Sequence, residues 1–151
     1  MNAEIKVLYD LACQVRGNAY APYSQFTVGA AVQMQNGQTF VGCNVENAAY
    51  PLSTCAEQVA ITKAISESGG SQSGNLQLAR GIKRIVVVAS PLASPCGACR
   101  QVISEFSDEQ TEIYSFNVDD PDHVQHWTID QLLPDRFKST CLLVKHPDDA
   151  K

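Results

Sequence analysis

Ile82-Lys83-Arg84-Ile85-Val86-Val87-Val88-Ala89 is followed closely by Ser94-Pro95-Cys96-Gly97-Ala98-Cys99-Arg100, and these two stretches decide the fold class. The run from Ile85 to Val88 has no polar alternate face, so it reads as a strand buried on both sides, the mark of a sheet covered by helices. Ser94 offers an N-cap, and Pro95 suits the first helical position, where its missing N–H is not needed. A helix is predicted from there to about Phe106. Thr111 to Val118 follows as another strand, so strand, helix and strand alternate as in layered α/β domains.

The pattern continues in both directions. Upstream, residues 3–16 place Ile5, Leu8, Leu11, Ala12 and Val15 at helical spacing, with Asn2 as N-cap. Tyr20 to Ser24 ends that helix, because the residue before Pro22 avoids the α region. Phe26 to Met34 and Thr39 to Val41 are β-prone and flank Asn36-Gly37, the strongest short hairpin signal. Cys55 to Ser66 is helical, stopped by Gly69-Gly70, and Ser68 to Gly81 is a polar surface loop. Downstream, Asp119 to Gln125 is a turn-rich connection, Trp127 belongs to a short strand, and Thr128 to Leu133 is a short helix ended by Pro134. Leu142 to Val144 is a last strand or a packed tail. No repeat or linker interrupts the 151 residues, so one domain, 1–151, with a mixed sheet is expected.

Composition narrows the function. Hydrophobic residues make up 44% and charged ones 18%, the balance of a globular protein. The net charge of −5 and the scattered basic residues argue against a protein that grips nucleic acid through its phosphates. The N-terminal stretch lacks a signal-peptide pattern, and no window approaches the roughly 18 apolar residues of a spanning helix. A cytoplasmic protein without membrane contact is expected. The six cysteines then read as metal ligands and small buried residues rather than disulfides.

Three of those cysteines carry chemistry. Cys96 and Cys99 form a Cys-x-x-Cys pair at a predicted helix start, and Cys55 opens the other predicted helix, two residues before Glu57. Three thiolates without an evident fourth protein ligand describe a zinc site with an open position. Zinc so held lowers the pKa of a coordinated water from about 15.7 towards roughly 7. Helix N-termini suit these ligands, since each presents roughly half a positive charge and free N–H groups to the sulfurs. Glu57, on the same helical turn as Cys55, is placed to carry protons without binding the metal. Each signal alone has another reading. A Cys-x-x-Cys pair also occurs as a structural zinc half-site or a redox pair, and Thr54-x-x-Glu57 also fits a capping box. Cys-x-Glu together with Pro-Cys-x-x-Cys is far more specific, and it is the pattern of zinc-dependent deaminases with a non-ligating glutamate.

Several segments resemble the small homotetrameric cytidine deaminases. They are residues 20–31 (YAPYSQFTVGAA), 42–50 (GCNVENAAY), 55–57 (CAE) and 94–102 (SPCGACRQV), with Leu132-Leu133-Pro134 and Phe137 resembling the C-terminal signature. The resemblance spans about residues 3–137. It implies a three-layer α/β/α cytidine deaminase-like fold with a mixed five-stranded sheet of order 2-1-3-4-5. It implies deamination of cytidine and deoxycytidine, one zinc ion per subunit held by Cys55, Cys96 and Cys99, and Glu57 as the catalytic carboxylate. It further implies that Asn44 and Glu46 bind the sugar, chiefly its 3′-hydroxyl, that Phe26 packs on the pyrimidine, and that the Ala56 N–H holds the base carbonyl. Ala48, Tyr50 and Phe137 would reach sites in neighbouring subunits of a homotetramer.

Read as residues alone, Asn44 and Glu46 also fit a polar turn after the hairpin, and Phe26, Tyr50 and Phe137 fit ordinary packing. One position departs from the family. Gln58 stands where three-cysteine members usually carry arginine, so it offers the sulfurs a hydrogen bond but no charge. Arg100 either supplies part of that charge or faces solvent from its helix. His123, His126 and His146 are expected at the surface, Cys13 and Cys141 in the core, and Cys43 near the site but not on the metal. A zinc deaminase of another aminopyrimidine nucleoside, a non-catalytic zinc-stabilised scaffold and an oligonucleotide editor are the competing readings. The acidic chain disfavours the last.

Overall fold

The computed structural model describes residues 1–68 and 81–138. Helix α1, Ala3–Arg16, begins at Asn2, whose Oδ1 accepts the Ile5 N–H at 2.9 Å. Strands β1, Gly29–Met34, and β2, Thr39–Cys43, form the antiparallel hairpin. Its turn closes through Met34 N–H to Gln38 O at 2.8 Å, with Gly37 in the left-handed region at φ 86°. That φ is why glycine is needed there. β1 starts at Gly29 rather than Phe26, because the Asn44 side chain takes the Val28 N–H and the Phe26 carbonyl, both at 2.8 Å.

Helix α2, Ala56–Glu67, leads to strand β3, Ile82–Ala89. Helix α3, Gly97–Phe106, runs directly into strand β4, Ser107–Asn117. β4 therefore begins earlier than Thr111: Ser107 pairs with Ile82 before a register shift, and buried Thr111 donates its hydroxyl to the Ile82 carbonyl at 2.7 Å. Strand β5, Val124–Trp127, takes two residues from the expected turn, and helix α4, Ile129–Leu132, is held by a capping box of Thr128 and Gln131. Gly69-Gly70, most of the 68–81 loop, residues 142–144, Cys141 and His146 lie outside the described residues.

The five strands of the described residues lie in the order β2-β1-β3-β4-β5. Only β3 and β4 run parallel, joined by α3, the crossover that parallel neighbours require. Alternation along β3 explains its uniform sequence. Ile85 and Val87 pack with α2, α3 and α4 on one face, whereas Val86 and Val88 pack under Ile5, Leu8 and Ala12 of α1 on the other. No described helix is long and apolar enough to cross a membrane.

Two glycines let the helices touch the hairpin. A Cβ at Gly29 would lie 2.0 Å from the Ala12 carbonyl oxygen of α1, and one at Gly42 would lie 2.5 Å from Ala60 N and 2.7 Å from Ala56 O of α2. These neighbours are backbone and cannot swing aside. Gly42→Ala should therefore lever the start of α2 away from β2, costing about 1–3 kcal/mol or more. The expected result is a lower melting temperature together with weaker zinc retention, read by thermal unfolding and metal analysis.

Candidate active site

Two helix tips build the centre of the site. Cys55 is the N-cap of α2 and Cys96 the N-cap of α3, with extended backbone at both. The cap of α3 is thus Cys96 rather than Ser94, and Pro95 precedes it. Arg100 explains the shift. Its Nε donates to Pro95 O at 2.8 Å, its Nη1 to Leu132 O at 2.8 Å, and its Nη2 to Ser94 Oγ at 3.1 Å. Ser94 is spent on that guanidinium, and the Cys96 sulfur accepts the Cys99 N–H at 3.5 Å instead. Arg100 is half-buried and tethered, so it neither faces open solvent nor donates to a sulfur.

The sulfurs of Cys55, Cys96 and Cys99 lie within 4.8 Å of one another, with Cys55 and Cys96 at 3.9 Å. Tetrahedral zinc with Zn–S bonds of about 2.3 Å sets sulfurs roughly 3.8 Å apart, so the three fit one ion after a small contraction. Cys99 is fully buried in the first turn of α3. The Cys55 thiol is drawn down to about 7 by the hydrogen bond from Cys99, while that same bond and then burial push Cys99 up. Gln58 Nε2 donates to Cys99 Sγ at 3.7 Å, the hydrogen bond without charge that its side chain allows. Gln58→Ala should weaken zinc binding about tenfold, measured by competition with a chelator. Unchanged affinity would show that this contact does not tune the metal.

Glu57 lies beside the sulfurs, only 5% exposed, and burial holds its carboxyl above the usual carboxylate range. No capping box forms at this helix start: the cap is Cys55, which makes no side-chain capping bond, and Thr54 lies outside it. Glu57 is therefore not spent on closing the helix end.

A cleft of about 300 Å³ opens over this centre, within the usual range for small-molecule sites. Phe26, Asn44, Glu46, Ala56 and Glu57 line it together with Cys55 and Cys96. Ala56 is the first residue of α2, where a backbone N–H has no acceptor within the helix. Asn44 is half committed to the backbone of Phe26 and Val28. Glu46 accepts from Tyr23 N at 2.9 Å, Ser24 N at 3.3 Å and the Ser24 hydroxyl, and these bonds hold its carboxyl below the usual range.

Ala48, Tyr50 and Phe137 stand outside the cleft. Tyr50 is 70% and Phe137 58% exposed. The Tyr50 ring lies 5.9 Å from that of Tyr23, and the Phe137 carbonyl accepts from Gln101 Nε2 at 3.3 Å. Ser24, Thr54, Val87 and Ala89 also line the cleft, and sequence reasoning did not single them out. For Val87 and Ala89 a signal existed, since ligands favour the carboxyl ends of parallel strands. His123 and His126 are exposed, and Cys43 is not among the clustered sulfurs.

Fold and sulfur cluster together define the class of hydrolytic zinc deaminases, and comparison with known proteins agrees. The model of the cytidine and deoxycytidylate deaminase zinc-binding region matches residues 3–115. A cytidine deaminase of Sporosarcina psychrophila is 40% identical over 126 residues, 82% of this chain and 84% of the relative. One from Mycobacterium tuberculosis is 37% identical over 127 residues, 83% and 84%. The crystal structure of cytidine deaminase from Burkholderia pseudomallei matches with a TM-score of 0.74 and 38% identity, covering 91% of this chain and all of that one. The chain belongs to the zinc-dependent cytidine deaminase family.

Proposed function

We propose that this chain hydrolyses cytidine and deoxycytidine to uridine and deoxyuridine with release of ammonia. The observation that carries this reading is a buried carboxyl, Glu57, beside three sulfurs fit for zinc at the floor of a nucleoside-sized cleft. Cys55, Cys96 and Cys99 hold the ion, which supplies the Lewis acidity that makes water a nucleophile at neutral pH. Glu57 takes a proton from the attacking water and delivers it to ring N3 as the C4–O bond forms. It then takes the second proton from the new C4 hydroxyl and passes it to the departing amine as the C4–N bond breaks and C4 becomes a carbonyl. The Ala56 N–H holds the base carbonyl and Phe26 packs on the ring.

Asn44 and Glu46 take the sugar hydroxyls with the capacity their loop bonds leave over, so a bare base forgoes those contacts and binds less well. Residues 1–151 act as one domain. Ala48, Tyr50 and Phe137 are assigned to neighbouring sites of a homotetramer; the exposure of Tyr50 and Phe137 supports this. A cytoplasmic enzyme of pyrimidine salvage acting on free nucleosides fits the acidic chain. Metal analysis and ultraviolet loss of cytidine, measured on one preparation, test the reading. One zinc per chain with turnover is expected. Turnover of another aminopyrimidine nucleoside but not cytidine overturns the substrate, and zinc without any turnover favours a scaffold.

A further inference from the structure

We propose that Ser24 is a positioning residue for substrate specificity, setting the Glu46 carboxylate that reads the sugar. The loop carrying Ser24 is fixed to the segment after β2 by backbone bonds, Tyr20 N–H to Asn44 O at 3.0 Å and Glu46 N–H to Tyr20 O at 2.8 Å. Within it, Ser24 makes three links. Its hydroxyl donates to Glu46 Oε1, its N–H donates to Oε2 at 3.3 Å, and its Oγ accepts the Phe26 N–H at 3.0 Å. Oε2 also accepts the Tyr23 N–H at 2.9 Å, so two backbone donors occupy it. Among the described residues Oε1 takes only the Ser24 hydroxyl, so this cleft-lining carboxylate keeps acceptor capacity for a ligand.

Between Ser24 and Phe26, Gln25 has φ 59°, a left-handed conformation uncommon for a side chain of this kind. Strain of this sort persists where neighbouring bonds over-determine it, and it clusters at binding sites. A single hydroxyl thus ties the aromatic wall of the cleft to its acidic wall. Removing it frees Oε1 to rotate and leaves backbone donors holding only the other oxygen.

This inference rests on Glu46 as the sugar contact, so the test separates the two. Cytidine and 3′-deoxycytidine are compared as substrates of the unaltered chain, Ser24→Ala and Ser24→Thr. The unaltered chain is expected to prefer cytidine. Ser24→Ala should lose about tenfold of that preference, through the KM of cytidine, with kcat, zinc content and melting temperature little changed. Ser24→Thr keeps the hydroxyl at an exposed position and should restore it.

No preference in the unaltered chain overturns the Glu46 reading and this proposal with it. A preference that survives Ser24→Ala overturns this proposal alone. Equal losses on both substrates, or restoration of the preference by adding Gln25→Gly to Ser24→Ala, would mean that the hydroxyl merely braces the turn, and would likewise overturn it.

Discussion

Glu57→Gln is expected to keep its zinc and its fold while losing turnover by about 10²–10⁴-fold. Glutamine matches the carboxyl in shape but carries no proton to and fro. Glu57 is no ligand in the proposed site, so metal analysis should still find the ion. Stability should not fall. Burial raises the Glu57 pKa, so the folded state binds its proton more tightly than the unfolded chain does. The contribution of this group to stability is then greatest below the ordinary carboxylate pKa and declines as pH rises through the folded value. At neutral pH an uncharged replacement relieves that cost in the zinc-free chain, which should melt at the same temperature or higher. Unchanged turnover would remove Glu57 from the chemistry.

Cys99→Ala should act in the opposite manner, losing the metal and the fold's margin together. Cys99 is fully buried, and its sulfur faces those of Cys55 and Cys96 from the first turn of α3. Without it two sulfurs remain, too few to close a tight zinc site. Binding that favours only the folded state stabilises by about 2.7 kcal/mol when the free ion stands at a hundred times its dissociation constant. Losing that stabilisation should lower melting by roughly 5–11 °C for a domain of this size, and turnover should fall to background. A chelator applied to the unaltered protein should reproduce both effects, and added zinc should reverse them only there. A variant that keeps stoichiometric zinc would contradict the ligand assignment.

The architecture was largely legible because local signals agreed with one another. Asn2, the Asn36-Gly37 turn and the Ile85–Val88 run each act through backbone geometry that short sequence patterns encode, and the sheet order followed from the family resemblance. The misreadings share a cause. Ser94-Pro95 has the better local claim to start α3, yet Arg100 draws on Ser94 and on the Pro95 and Leu132 carbonyls, and the last of these belongs to a distant helix. At Thr54 the capping box, one of two readings open for Glu57, does not form, because Cys55 is the cap. The role of Ser24 depends on Glu46 coming beside it across the loop, which spacing along the chain does not reveal.

The central strand β3 has a consequence for how such a protein can drift. Val86 and Val88 sit beneath α1, on the side away from the cleft, while their immediate neighbours Val87 and Ala89 form part of its apolar lining. A methyl gained or lost under α1 is felt on the opposite side across the thickness of one polypeptide. Lineages can thus retune the chamber from its blind side, with every group that meets the nucleoside left as it was.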